Sequence, residues 1–188
     1  MRKARAEGYR SRAAFKLIEV NTGERLLIPG AKVVDLGAAP GGWSQVAAQK
    51  VGAPGKVVAV DLLEIVPISG VMILRGDFRQ AEVREQLAAS LGGHKADVVL
   101  SDLSPNISGI ASADQARAAE LVRMAIEFCR AQLRPAGAFL VKVFQGEEFA
   151  AVLGEMKSVF REVKTLKPAA SRDESRETYL LARGLKNR

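Results

Sequence analysis

Two kinds of hydrophobic pattern take turns along the 188-residue chain. Short apolar runs such as Val57-Val58-Ala59-Val60 and Val98-Val99-Leu100 have the length and β-branched content of buried strands. They predict strands at Lys32–Leu36, Lys56–Leu62, Val71–Arg75, Ala96–Leu103, Gly137–Phe144, Val163–Lys167 and Thr178–Ala182. Longer stretches with apolar residues at helical spacing predict helices at Trp43–Val51, Gln80–Leu91, Ala113–Leu133 and Gly146–Phe160. Ahead of the first strand, Ser11 is read as the cap of a helix that runs to Asn21 and is closed by Gly23. Strands alternating with helices argue for βαβ crossovers, and so for an α/β fold with helices on both faces of a largely parallel sheet. The last two strands are joined by the polar loop Pro168–Glu177 without a helix, so they are expected to run antiparallel in a seven-stranded mixed sheet. No repeat or linker interrupts the pattern, and residues 1–188 are read as one domain.

In such a sheet, function gathers at the carboxyl ends of the strands. The first strand leads into Asp35-Leu36-Gly37-Ala38-Ala39-Pro40-Gly41-Gly42-Trp43, a glycine-rich turn and the start of a helix. A pyrophosphate-binding turn presents bare N–H groups through G-x-G-x-x-G. Here Pro40 has no N–H, Trp43 stands at the helix entrance, and Asp35 adds negative charge. These features disfavour a nicotinamide dinucleotide and suit a ligand with an amino-acid moiety and a positive charge, as in S-adenosylmethionine. Three more carboxylates fall at successive strand ends. Asp61 stands where a carboxylate meets ribose hydroxyls, Asp77 where one meets an adenine amino group, and Asp102 faces the reactive end of such a ligand. Lys142 interrupts the apolar strand Ala138–Phe144, where a charged amine needs a partner; Asp102, at a neighbouring strand end, is the expected one.

Composition narrows the class, and charge changes the picture of the two ends. With 48% hydrophobic and 26% charged residues, and no apolar run of spanning length, the chain reads as a soluble protein without a membrane segment. The single Cys129 excludes an internal disulfide, suits a cytoplasmic setting, and is read as a core residue. His94, in a glycine turn without acidic or cysteine neighbours, is read as a surface residue. The formal charge is +7. Residues 1–16 carry six basic side chains against Glu7, and residues 161–188 carry eight against four acidic ones, so the middle of the chain is slightly acidic. Basic segments at 1–22 and 161–188 point to a polyanion surface built from both ends, with nucleic acid as the expected polyanion.

The order of several short motifs resembles the FtsJ-type ribosomal RNA 2′-O-ribose methyltransferases over nearly the whole length. They are Arg10–Leu17, Asp35–Trp43, Asp61-Leu62-Leu63, Gly76-Asp77-Phe78-Arg79, Ser101-Asp102-Leu103-Ser104-Pro105-Asn106, Val141–Gly146, and Ser171-Arg172 with Ser175-Arg176-Glu177. The resemblance implies a Rossmann-like S-adenosylmethionine-dependent methyltransferase fold with an antiparallel last strand. It implies a catalytic tetrad of Lys16, Asp102, Lys142 and Glu177, and cofactor contacts from Gly41, Trp43, Asp61, Asp77 and Asp102. Arg10, Arg12, Arg172 and Arg176, which flank the tetrad residues in sequence, are expected phosphate contacts. Lys142 would accept the proton of the attacking hydroxyl or clamp it electrostatically. The implied acceptor is a uridine ribose in the A-loop of large-subunit ribosomal RNA on the assembled subunit, the protein acting as a monomer without a metal. The catalytic lysine already stands at position 16, so no cleaved leader is expected. Alternatives remain open: transfer RNA as acceptor, a small-molecule O-methyltransferase, or a non-catalytic RNA-binding assembly factor.

Overall fold

The computed structural model describes residues 4, 6–169 and 176–187. Seven strands form one sheet: β1 (Lys32–Leu36), β2 (Lys56–Asp61), β3 (Val71–Arg75), β4 (Ala96–Ser101), β5 (Leu133–Phe144), β6 (Phe160–Leu166) and β7 (Glu177–Leu185). Five helices lie wholly within the described residues: α1 (Ala13–Glu24), α2 (Gly42–Val51), α3 (Ala81–Ser90), α4 (Ala111–Gln132) and α5 (Phe149–Val159). The strand order is β3-β2-β1-β4-β5-β7-β6, with β1 to β5 parallel and β7 antiparallel to both of its neighbours. The fold is the expected Rossmann-like one.

Alternation along the strands sorts side chains to two faces. Val34, Leu36, Val58 and Val60 join Leu87 of α3, Cys129 of α4 and Met156 of α5 in one core. Val33, Val57, Val98 and Leu100 join Leu17 of α1 with Trp43 and Val46 of α2 in the other. Burial pushes the Cys129 thiol well above its ordinary pKa, as suits a core residue, and His94 is exposed as expected.

Several boundaries differ from the sequence expectation. Helix α1 starts at Ala13 without a side-chain cap, because Ser11 Oγ packs against Gly42 instead. It ends at Glu24, one residue past Gly23, and Gly23 is not its cap. Arg25 takes the left-handed conformation (φ 51°), and Asn21 accepts from Arg25 N and, through Oδ1, from Leu27 N. Burial of Leu26 and Leu27 demands that turn. Strand β4 stops at Ser101, since Asp102 N donates to Leu36 O and the chain then leaves the sheet. Strand β5 begins four residues earlier than the pattern indicates, at Leu133. Leu133 is buried beside Ala96, and Arg134 pairs with Asp97 at 2.7 Å, which holds the segment against β4.

Candidate active site

The carboxyl ends of β1 to β5 frame a cleft of about 670 Å³. Asp61, Asp77, Asp102 and Lys142 all line it, with Leu62, Leu63 and Phe78 on one side and Ser104, Pro105 and Asn106 on another. The parallel register explains the grouping: β4 and β5 run side by side, so Asp102 just past the end of one reaches Lys142 near the end of the other.

Lys142 is 7% exposed, and Nζ lies 3.0 Å from Asp102 Oδ1. Its hydrogen bonds go to Ser104 Oγ at 2.5 Å and to the Asp102 backbone oxygen at 3.3 Å; the carboxylate approaches by charge rather than with hydrogen-bond geometry. Burial raises the Asp102 carboxyl above its ordinary value, and the positive charge of Lys142 opposes the rise. A second pair stands beyond the cleft, where Lys16 Nζ meets Glu177 Oε2 at 2.8 Å, joining α1 to the start of β7. Tyr179 lies between the pairs. It is the β7 residue opposite Lys142, and its ring centroid is 5.6 Å from Lys16 Nζ. The Tyr179 hydroxyl has no hydrogen-bond partner; burial first, then the charges of Asp102 and Glu177, push its pKa up. The four residues of the expected tetrad therefore form two ion pairs around one buried tyrosine.

Within the glycine turn, Asp35 is placed differently from the expectation. Asp35 is fully buried and does not line the cleft: Ser44 Oγ donates to its Oδ2 at 2.6 Å, Oδ1 has no partner, and desolvation raises its pKa to about 7. Repulsion of a phosphate thus falls to Asp61, Asp77 and Asp102 rather than to Asp35. Gly37 permits the β1 and β4 ends to touch, since a Cβ there would lie 2.9 Å from the Leu103 backbone. Gly41, at φ 105°, is crowded by Ile68 and Ile65 rather than facing the cleft. The Trp43 side chain, 3% exposed, turns away from the cleft; its indole N–H donates to Ala13 O and its ring packs on Tyr179. Neither Gly41 nor Trp43 lines the cleft.

The remaining expected residues fall into three groups. Asp61 lines the cleft with its two oxygens accepting from Ala39 N and Leu63 N. Asp77 is gripped by the Arg79 guanidinium and backbone N–H, contacts that hold its carboxyl below the usual range. The half-buried Arg10 is tied to the protein: its guanidinium donates to Val66 O and Pro67 O at 2.6 and 2.7 Å, clasping the β2–β3 loop. Arg12 and Arg176 are exposed, and Arg172 lies outside the described residues. Sequence reasoning assigned no role to Ser104 or Arg79, although both sit inside the quoted motifs; their contacts cross between elements and leave no periodic trace.

The donor set fits S-adenosylmethionine. Four carboxylates, Asp61, Asp77, Asp102 and Glu120, line the cleft, and its two arginines, Arg79 and Arg117, are each paired with an acid, so little free positive charge faces a pyrophosphate. Apolar Leu62, Leu63 and Phe78 offer a surface for a purine beside Asp77. Among the described residues, no group of three or more His, Cys, Asp or Glu could hold a metal ion, and no helix is long and apolar enough to cross a membrane.

Known proteins resemble this chain in sequence and in fold. The sequence profile of the FtsJ-like methyltransferases matches residues 9–185. A protein named ribosomal RNA large subunit methyltransferase E from Methylobacillus flagellatus is 51% identical over 188 residues, covering 100% of this chain and 90% of its own length. The protein of the same name from Chromohalobacter salexigens is 53% identical over 178 residues, covering 95% and 85%. Among solved structures, a Plasmodium falciparum protein assigned as a ribosomal RNA methyltransferase superposes with a TM-score of 0.85 at 28% identity, over 96% of this chain and all of that one. Aeropyrum pernix fibrillarin, solved with natively bound S-adenosylmethionine, shares the fold at a TM-score of 0.64 and 16% identity, over 93% and 75%.

Proposed function

From a chain that belongs to the FtsJ-like methyltransferase family, we propose an enzyme that moves a methyl group from S-adenosylmethionine to a ribose 2′-hydroxyl of large-subunit ribosomal RNA. The observation that carries this reading is the Lys142–Asp102 pair at the wall of a carboxylate-lined cleft, with Lys16–Glu177 beyond it. The substrate class is supported by the names of relatives that match 95–100% of the chain. The resemblance in the motifs further assigns a uridine of the A-loop, on the assembled subunit in the cytoplasm, to a single-domain monomer.

Asp61 and Asp77 would hold the adenosine part of the cofactor, and Asp102 its charged end. When bound, the cofactor supplies a sulfonium methyl already activated for in-line displacement. The chain's contribution is positional and electrostatic. Lys142 holds the acceptor oxygen. Of its two expected roles, the three oxygen atoms around Nζ favour the clamp over the base. The hydroxyl proton leaves to Asp102, whose burial-raised carboxyl accepts a proton more readily than an ordinary one, and then to solvent. Lys16, oriented by Glu177, adds positive potential to stabilise the developing alkoxide. Arg12, Arg172 and Arg176 supply phosphate contacts.

The test is transfer of labelled methyl into large subunits from cells lacking the protein, followed by mapping of the modified nucleotide. A single 2′-O-methyl position is expected. Lys142→Ala should lower transfer by at least about a hundredfold and leave S-adenosylmethionine affinity nearly unchanged. Wild-type transfer by that variant, or label on a base, would overturn the reading.

A further inference from the structure

An amine carries at most three N–H donors. Around Lys142 Nζ three oxygens are already in place: Asp102 Oδ1 at 3.0 Å, the Asp102 backbone oxygen at 3.3 Å and Ser104 Oγ at 2.5 Å. The amine thus makes two hydrogen bonds and one charge contact to the protein before an acceptor hydroxyl arrives. Two of the three oxygens belong to Asp102, the charge partner itself and the residue whose N–H is tied to Leu36 O. They cannot leave without stranding a buried ion. The third is a neutral hydroxyl on the irregular segment that follows β4, in an exposed residue that lines the cleft. A loop serine ordinarily bonds to its own neighbouring backbone. Ser104 instead reaches across to the next strand, and a hydroxyl that accepts from the lysine keeps its own O–H for a group in the cleft.

We propose that Ser104 is a positioning residue for Lys142. Its hydroxyl holds the amine at the cleft wall and yields that place to the acceptor's ribose hydroxyl, an alcohol of the same hydrogen-bonding character. The inference rests on the methyl-transfer reading above and adds to it the residue that aims the lysine. Without Ser104 the amine is free to turn toward Asp102 alone, so the chemical step slows, while Asp61 and Asp77, which hold the adenosine part of the cofactor, and the arginine contacts to RNA phosphates are untouched.

Ser104→Ala is expected to lower kcat for labelled methyl transfer about tenfold, with KM for large subunits and the S-adenosylmethionine Kd within about twofold. Ser104→Thr, which keeps the hydroxyl, should recover to within about threefold of wild type. A second readout does not depend on turnover. In ¹⁵N-lysine NMR, the Lys142 ammonium signal, identified by its loss in Lys142→Ala, should exchange slowly with water in wild type and Ser104→Thr and rapidly in Ser104→Ala. Unchanged kcat in Ser104→Ala, failure of threonine to rescue, or an unchanged NMR signal would overturn the proposal. A wild-type protein that shows the expected NMR behaviour but methylates no RNA overturns the methyltransferase reading and leaves the Ser104–Lys142 link standing.

Discussion

Lys142 and Asp35 are both charged residues in apolar strands, and the structure deals with them in opposite ways. Lys142 keeps its partner: removal of Asp102 would leave a buried amine facing two neutral oxygens. Asp35 is hydrogen-bonded by Ser44 and has no cation, and its pKa is raised to about 7, with desolvation as the largest cause. A carboxyl whose folded pKa lies above its unfolded one contributes stability that is full below the unfolded value and is lost as pH rises through the folded value. Between the ordinary value of 3.8 and about 7, Asp35 should therefore make the fold progressively less stable. Asp35→Asn should flatten that part of the profile and add a pH-independent offset, because its amide N–H₂ replaces the unpartnered Oδ1. Urea unfolding of both proteins from pH 4 to pH 8 measures this; parallel profiles would contradict it.

At the level of elements, the β1–α2 turn is held from outside. Arg10 clasps Val66 and Pro67, Gln45 of α2 accepts from Arg10 N and donates to Gly8 O, and Gly41 and Gly42 leave room for Ile68 and Ser11. The loop so clasped is the one that brings Leu62 and Leu63 to the cleft. Arg10→Ala should thus weaken S-adenosylmethionine binding several-fold in a direct titration, as that loop loosens. If Arg10 were only a phosphate contact, the titration would be unchanged and the salt dependence of RNA binding would fall instead. The strand cores were readable because each is a short β-branched run, and β1 and β3 match their expected bounds at both ends. The ends of α1 and β5 were not, since Asn21, Arg25 and Arg134 act through bonds to residues that no local pattern names.

On the scale of the whole molecule, Lys16 and Glu177 stand 161 residues apart and meet because α1 packs on the face of the sheet that carries Tyr179. The pair is only partly buried, so Lys16→Ala should destabilise the fold by no more than ~1 kcal/mol in chemical denaturation. Its effect on methyl transfer should be much larger, at least about tenfold, as one of the two charges near the acceptor is lost. A loss of activity that merely tracks a loss of stability would speak against a catalytic place for Lys16. Periodicity alone determined the α/β class, the seven strands and the acidic residues at their carboxyl ends, because burial on both faces forces continuous apolar runs and leaves polar residues to the edge. The motifs, taken with their order, named the tetrad. Only the tertiary structure decided that β7 inserts between β5 and β6, that the Asp35 and Trp43 side chains turn away from the cleft, that Arg10 clasps a loop, and that Ser104 bonds to Lys142. Each of these depends on contacts between residues distant in the chain, which packing chooses and local sequence does not encode.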